Sequence, residues 1–275
     1  MDLLNKHEEQ QGNGLSYELW KNFPVVESLA LRDLNVGYGV YPDLVSFDSG
    51  IADTNIDTGG TLQQLTEAQG GVGGGIRLAT DATDNDEVSI QWCSGIGSPF
   101  RVSDTAGEER ELVFECRFRV GSITTMSSFI GLASPGVAAA DAIDASNVLS
   151  TSASWLGFHI AGPGSDVNFV YQKGGAAIQT VKSSWKTIAA STWYHVGLRY
   201  NATNNTVRAY FGTGDRTTAM RADDTNIITS TNIAASTFPD SVGLAPTVAM
   251  VNHGSSANTL DVGLIACGQA AIAAT

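Results

Sequence analysis

The stretch Glu111–Val120 constrains this chain more than any other. Leu112, Phe114, Cys116, Phe118 and Val120 alternate with Glu111, Glu115, Arg117 and Arg119. A period of two puts the apolar set on one side of a β-strand and the charged set on the other, so this segment predicts a strand with one face in a core. On the charged face, Glu111 and Glu115 are expected to be solvated and paired with Arg117 and Arg119. The same rhythm returns in Asp166–Tyr171, Trp193–Tyr200, Thr206–Phe211 and Thr259–Ala266. Shorter candidates are Gly75–Ala79, Glu87–Trp92, Ser128–Ala133, Trp155–Ile160 and Ala177–Val181. Clusters of Gly, Asn, Asp and Ser separate them, residues that supply positive φ or local side-chain hydrogen bonds in turns. Asn201–Asn205 reads as a hairpin loop between two of the strands. Beyond the N-terminal region only Val137–Leu149, with Asp141 and Asp144 among alanines, reads as helix. About ten or more short strands with so little helix predict a sandwich.

Composition narrows the function. The chain has 275 residues, 28 acidic against 15 basic, and a net charge of −13. That balance excludes sequence-independent nucleic-acid binding, which needs a surplus of Lys and Arg on one face. A hydrophobic share of 43% excludes disorder. Charged residues are only 16% of the chain, so Ser, Thr, Asn and Gly must supply most of the surface. No lysine occurs between Lys21 and Lys173.

The N-terminus turns polar after two leucines and does not read as a secretory signal, and no apolar run has the length of a membrane span. Cys93, Cys116 and Cys267 are odd in number and lack CxxC spacing, which fits neither a disulfide framework nor a zinc site; they are expected to be reduced and buried. Residues 1–40 differ from the rest. They carry Glu8, Glu9, Glu18 and Glu27 and a helix-compatible stretch near Leu15–Leu34, interrupted by Pro24. They read as an extended or partly helical arm ahead of a sandwich at 41–275, with a first strand plus loop as the alternative.

The run Thr192–Tyr200, its loop and Thr206–Phe211 resemble the laminin G-like and concanavalin A-like jelly rolls, in which a Trp-x-His-Val strand leads through a turn to a second strand of the same sheet. Leu260–Ala266 resembles their C-terminal strand. Glu111–Phe118 and Phe129–Ala133 resemble strands of the concanavalin A-like structural proteins of tailed bacteriophages. The resemblance implies an all-β jelly-roll sandwich of two antiparallel sheets, and a structural part for His195.

Glycoside hydrolases of that superfamily carry Glu-x-Asp-x-x-Glu, which supplies their paired nucleophile and acid. That spacing is missing here. The glycines at 70–75 have no GxGxxG register and no following Lys, so they read as a loop and not a phosphate cradle. No GxSxG occurs. His7, His159, His195 and His253 lie outside metal-ligand spacing of one another. Asp81, Asp84 and Asp86 are the one calcium candidate, because hard cations take clustered oxygens. The EF-hand template fails there, and a plain acidic turn is favoured. Of Trp20, Trp92, Trp155, Trp185 and Trp193, most are expected in the core and Trp185 is the candidate for an exposed sugar platform. Asn201-Ala202-Thr203 and Asn204-Asn205-Thr206 match the glycosylation acceptor pattern without any sign of secretion.

The leading functional expectation is a non-enzymatic virion structural protein without cofactor, a capsid decoration (cement) protein of a bacteriophage. It would be made in the host cytoplasm and displayed on the virion surface. Its partners would be the major capsid protein and copies of itself, as a dimer or trimer, with neither nucleic acid nor membrane. Leu15, Trp20, Phe23 and Leu31 of the arm would contact the shell. The alternative is a glycan-binding module for host attachment, and the third reading is a polysaccharide-cleaving enzyme.

Overall fold

The computed structural model describes residues 16–20, 23, 37–40, 52–57, 59–65, 75–93, 98–139, 141–214 and 221–270. They form two antiparallel sheets packed face to face. One sheet has eight strands: β1 (Gly37–Val40), β3 (Thr61–Gln64), β4 (Ile76–Ala79), β6 (Leu112–Val120), β11 (Trp193–Asn201), β12 (Thr206–Thr213), β13 (Arg221–Ile228) and β15 (Thr259–Ala270). Its order is β13-β12-β11-β6-β15-β4-β3, with β1 also paired to β15. The second sheet has seven strands: β2 (Ala52–Ile56), β5 (Glu87–Trp92), β7 (Met126–Ala133), β8 (Trp155–Ile160), β9 (Asp166–Gln172), β10 (Gln179–Thr187) and β14 (Ala245–Asn252), in the order β10-β9-β8-β7-β14-β5-β2.

The alternating residues of β6 behave as their pattern demands. Leu112, Phe114, Cys116, Phe118 and Val120 are all buried in the main core between the sheets. Their partners include Val196 and Leu198 of β11 and Leu260, Val262 and Ile265 of β15. Loss of apolar area from water along this seam is the main driving force for the sandwich. The strands at β5, β8, β9, β11 and β12 fall where the alternation places them, and β11 and β12 form the expected hairpin with Asn201 opposite Thr206. All three cysteines are buried and unpaired.

β14 is the informative miss. It lies between β7 and β5 at the centre of its sheet, yet Ala245–Asn252 shows no alternation because every residue in it is buried. Pro246 looks like a strand breaker, but pairing to β5 begins one residue later at Thr247, so its missing N–H falls beyond that ladder.

Both sheet faces opposite the main core are partly covered. Val137–Leu149, expected as helix, holds among its described residues only a short 3₁₀ turn at Val137–Ala139. Side chains capture the N–H groups a helix would need. Glu87 accepts from Ala142 and Ile143, Gln91 accepts from Gly136, and Asp144 accepts from Ser146 and Val148. The segment between β7 and β8 instead lies across the outer face of the seven-stranded sheet. There Val137, Ala142, Ile143, Leu149 and Ala153 pack on Phe129, Trp155, Val170 and Ala249.

A glycine pair makes that face possible. Gly131 and Gly157 are direct cross-strand partners, and the Phe129 ring lies over both. A Cβ at Gly157 would stand 2.6 Å from Ile130 O and 2.7 Å from Gly131 Cα. Gly157→Val is therefore expected to cost about 3 kcal/mol through overpacking and backbone shift, measured by urea denaturation.

On the eight-stranded sheet the cover is the N-terminal segment. Helix α1 (Tyr17–Trp20) and Phe23 form a small cluster with Val113, Tyr210 and Ala266. Trp20 and Phe23, expected to face a shell partner, are buried against this chain's own sheet. Leu15 and Leu31 lie outside the described residues, as do the glycines at 70–74.

Candidate functional site

The loops at one end of the sandwich surround a cleft of about 340 Å³, lined by Gly121, Ser122, Thr124 and Thr125 after β6 and by Ser256, Ala257 and Asn258 before β15 with Thr259 at its start. Its walls are hydroxyls, backbone, one amide and the methyls of Ala257 and the threonines, with no charged side chain. Two buried asparagines set its shape. Asn252 Nδ2 donates to the backbone oxygens of Asp81 (3.2 Å), Thr83 (3.0 Å) and Gly254 (2.8 Å). Asn258 Nδ2 donates to Asn252 Oδ1 (2.5 Å) and to Thr125 O and Oγ1 (3.2 and 3.1 Å). One amide pair thus ties three loops together. Both asparagines look like ordinary turn residues in the sequence, which is why pattern reading passes over them.

The acidic loop behind this network holds Asp81, Asp84 and Asp86, the carboxylates weighed above as calcium ligands. Burial, then hydrogen bonding and repulsion from Asp81, push the Asp86 carboxyl up to about 6. Interaction with Asp86 and the Thr83 N–H hold Asp81 below the ordinary value. The two neighbouring carboxyls are thus driven apart in proton affinity, and Asp84 takes no part in either shift. Among the described residues no three His, Cys, Asp or Glu side chains converge as metal ligands. EDTA is expected to leave the thermal midpoint unchanged; a shift on chelation, reversed by Ca²⁺, would restore the cation reading.

A serine–histidine pair sits nearby. His253 Nε2 lies 3.1 Å from Ser127 Oγ. That hydroxyl gives its one proton to Asn147 Oδ1 and accepts from Gly162 N at 2.8 Å, which leaves a lone pair for the His253 ring but no proton for it to take. It is also fully buried, so it fastens a loop and is not placed as a nucleophile. His159 is buried in β8, and desolvation pushes it down to about 4, where it is neutral through the physiological range.

The outer face of the eight-stranded sheet differs from the sequence expectation. Glu111 pairs with Arg199 (3.1 Å) and Arg119 pairs with Asp261. Glu115 is not solvated at all. It is 0% exposed and accepts from Ser16 N (3.0 Å), Ser16 Oγ (2.6 Å) and Trp20 Nε1 (2.7 Å), with His195 Nδ1 at 3.7 Å. Residues two apart on a strand share a face, but their ion partners come from neighbouring strands, and only the register names those.

The tryptophans are also redistributed. Trp185 is 6% exposed and stacks on Phe158 at 5.3 Å, because the alternation of β10 turns it inward between Ser184 and Lys186. Trp193 is the partly exposed one. Arg117 lies over its ring at 4.0 Å and Arg119 at 4.9 Å.

No protein-family model matches the chain, and no curated protein matches it in sequence. Solved structures do match in shape. Lectin I of Ulex europaeus superposes with a TM-score of 0.52 at 12% identity, covering 86% of this chain and 98% of the lectin. Arcelin-5, a lectin-like defence protein of Phaseolus vulgaris, gives 0.51 at 9% identity over 86% and 98%. Basic winged bean lectin gives 0.51 at 12% over 86% and 99%. The chain has the concanavalin A-like jelly-roll fold. Identities this low carry the fold and nothing more, and the bacteriophage context has no counterpart among these neighbours.

Proposed function

We propose that this concanavalin A-like sandwich is a non-catalytic glycan-binding module whose sugar site is the cleft between residues 121–125 and 256–259. The observation that carries the reading is the chemistry of that cleft: hydroxyl, amide and backbone groups without a charged side chain, held in place by the Asn252–Asn258 amide pair. Such a wall matches the donors and acceptors of sugar hydroxyls, and its rigidity spares the ordering cost of binding. The lectins of like fold support it by analogy: the Ulex protein is in complex with a fucose glycoside and basic winged bean lectin with Tn-antigen. The virion-shell reading has no such support, and two of its proposed contacts, Trp20 and Phe23, are used internally.

A non-catalytic role is consistent with the acids at and just before β6, since Glu111 is paired with Arg199 and Glu115 is sealed under α1. The test is a glycan array followed by calorimetric titration of the best ligand. Ser256 is exposed and contributes only its backbone oxygen to the Asn258 network. Ser256→Trp is therefore expected to fill the cleft and abolish binding while leaving the thermal midpoint unchanged. An array without any specific ligand, or a variant that binds like the parent, would sink the proposal.

A further inference from the structure

The hydroxyl side chains that line the cleft, Ser122, Thr124, Thr125, Ser256 and Thr259, are not equivalent. The first three are tied to one another. Ser122 Oγ lies 3.2 Å from both Thr124 Oγ1 and Thr125 Oγ1, and it accepts from Thr124 N at 3.2 Å. Thr125 Oγ1 also accepts from Asn258 Nδ2 at 3.1 Å. These groups build the wall. The hydroxyls of Ser256 and Thr259 have no hydrogen-bond partner among the described residues.

Ser256 is exposed in its loop, so its side chain must be ordered when a ligand arrives. Thr259 is half-buried and opens β15, with its backbone fixed on both sides. It pairs with Ala79 of β4, and its carbonyl accepts from Gly121 N at 2.7 Å. Leu260 and Val262 point into the core, so the alternation turns Thr259 outward. Its branched Cβ restricts χ1, which holds the hydroxyl in place. A Cβ at Gly121 would lie 2.4 Å from Thr259 Oγ1 and 3.2 Å from the Thr259 carbonyl oxygen. Glycine at 121 thus leaves the space beside that hydroxyl open, and any larger residue would close it.

We infer that Thr259 is the specificity residue of the cleft, and that its hydroxyl exchanges a hydrogen bond with one free hydroxyl of the bound sugar across the gap left by Gly121. The inference rests on the glycan-binding reading and assigns its polar contact. A threonine hydroxyl and a sugar hydroxyl each donate and accept, so either can satisfy the other. Thr259 gives up no protein partner to make this bond, whereas Ser122, Thr124 and Thr125 would each surrender a contact they already hold. Its fixed backbone and side chain keep the ordering cost of binding low.

The experiment titrates the full chain calorimetrically with the methyl glycosides of glucose, galactose, mannose and fucose and with the strongest saccharide of the array. Each sugar that binds is followed by its monodeoxy analogues. The expected result is that deoxygenation at one position weakens binding about five- to tenfold, the size of one neutral hydrogen bond. Thr259→Val keeps the shape and loses the hydroxyl. It should weaken binding by a similar factor and no longer distinguish the sugar from that deoxy analogue. Thr259→Ser should restore the distinction, and Gly121→Ala, which pushes the hydroxyl aside, should abolish it. Thr206→Val, beside Asn201 at the far end of β6 from the cleft, should behave as the parent. Should Thr259→Val fail to fold, the contrast between Thr259→Ser and Gly121→Ala carries the test. Undiminished binding by Thr259→Val overturns the inference and leaves the glycan reading standing. So do losses from variant and deoxy analogue that multiply at every position. A parent that binds none of these saccharides overturns both.

Discussion

Glu115→Ala is expected to release the N-terminal segment from the sandwich, at a cost of about 3 kcal/mol. The carboxylate accepts three hydrogen bonds, from Ser16 N, Ser16 Oγ and Trp20 Nε1, and it is fully buried. Removing it strands those donors where water does not reach, and breaking a buried charged contact costs several times what an exposed one does. Gly268 gives a second route to the same outcome. A Cβ there would lie 2.8 Å from Phe23 Cε1 and 3.2 Å from Trp20 Cζ3, so Gly268→Val should evict the same cluster without touching Glu115. In both variants hydrogen exchange at Leu19 and Trp20 should accelerate while β6 and β15 stay protected. Uniform loss of protection across both sheets would instead make α1 part of the global folding unit.

Glu87→Gln is expected to stabilise the protein at pH 8 and to leave it unchanged at pH 5. Glu87 is 1% exposed, and its Oε2 accepts from Ala142 N (2.7 Å) and Ile143 N (3.1 Å). Burial pushes the carboxyl up to about 7; the two N–H groups oppose this and Asp141 adds to it. An acid whose folded value lies above its ordinary one of 4.5 favours folding in its protonated form. That contribution is complete below about pH 4.5 and is lost as pH rises through 7, an effect of about 3 kcal/mol by linkage. Glutamine keeps the accepting oxygen for Ala142 and Ile143 and has no charge to desolvate. Asp86, pushed up to about 6, contributes with the same sign, so the quantity to measure is the difference between variant and parent in urea midpoints at pH 5 and pH 8. Parallel pH profiles for the two proteins would show that Glu87 does not carry the effect.

Much of the fold was legible because the core strands expose one face to a different environment from the other. The alternation in β6, β11 and β12 reports that difference directly, and the glycine- and asparagine-rich gaps report the turns. β14 was illegible for the opposite reason. Buried on both faces, it shows no period, and Pro246 argues against a strand unless the end of the β5 ladder is known. Of the candidate site, the sequence offered hydroxyl-rich loops but no sign that Asn252 and Asn258 join them. Of the calcium candidate, the sequence showed carboxylates near one another along the chain, which does not say whether their oxygens converge in space; among the described residues no three such side chains do.

By itself, the sequence determined that this is an acidic all-β sandwich with buried free cysteines, and which side of each alternating strand faces the core. Only the tertiary structure decided what lies against the other side. Val137–Leu149 crosses one sheet, α1 and Phe23 dock on the other, Glu115 is sealed, and Asp261 joins Arg77 to Arg119. The reason is that a period of two records a contrast between two faces of one strand. Ion pairs, covers and clefts on the outer faces depend on neighbouring strands and distant loops, and their register is set when the whole sandwich packs.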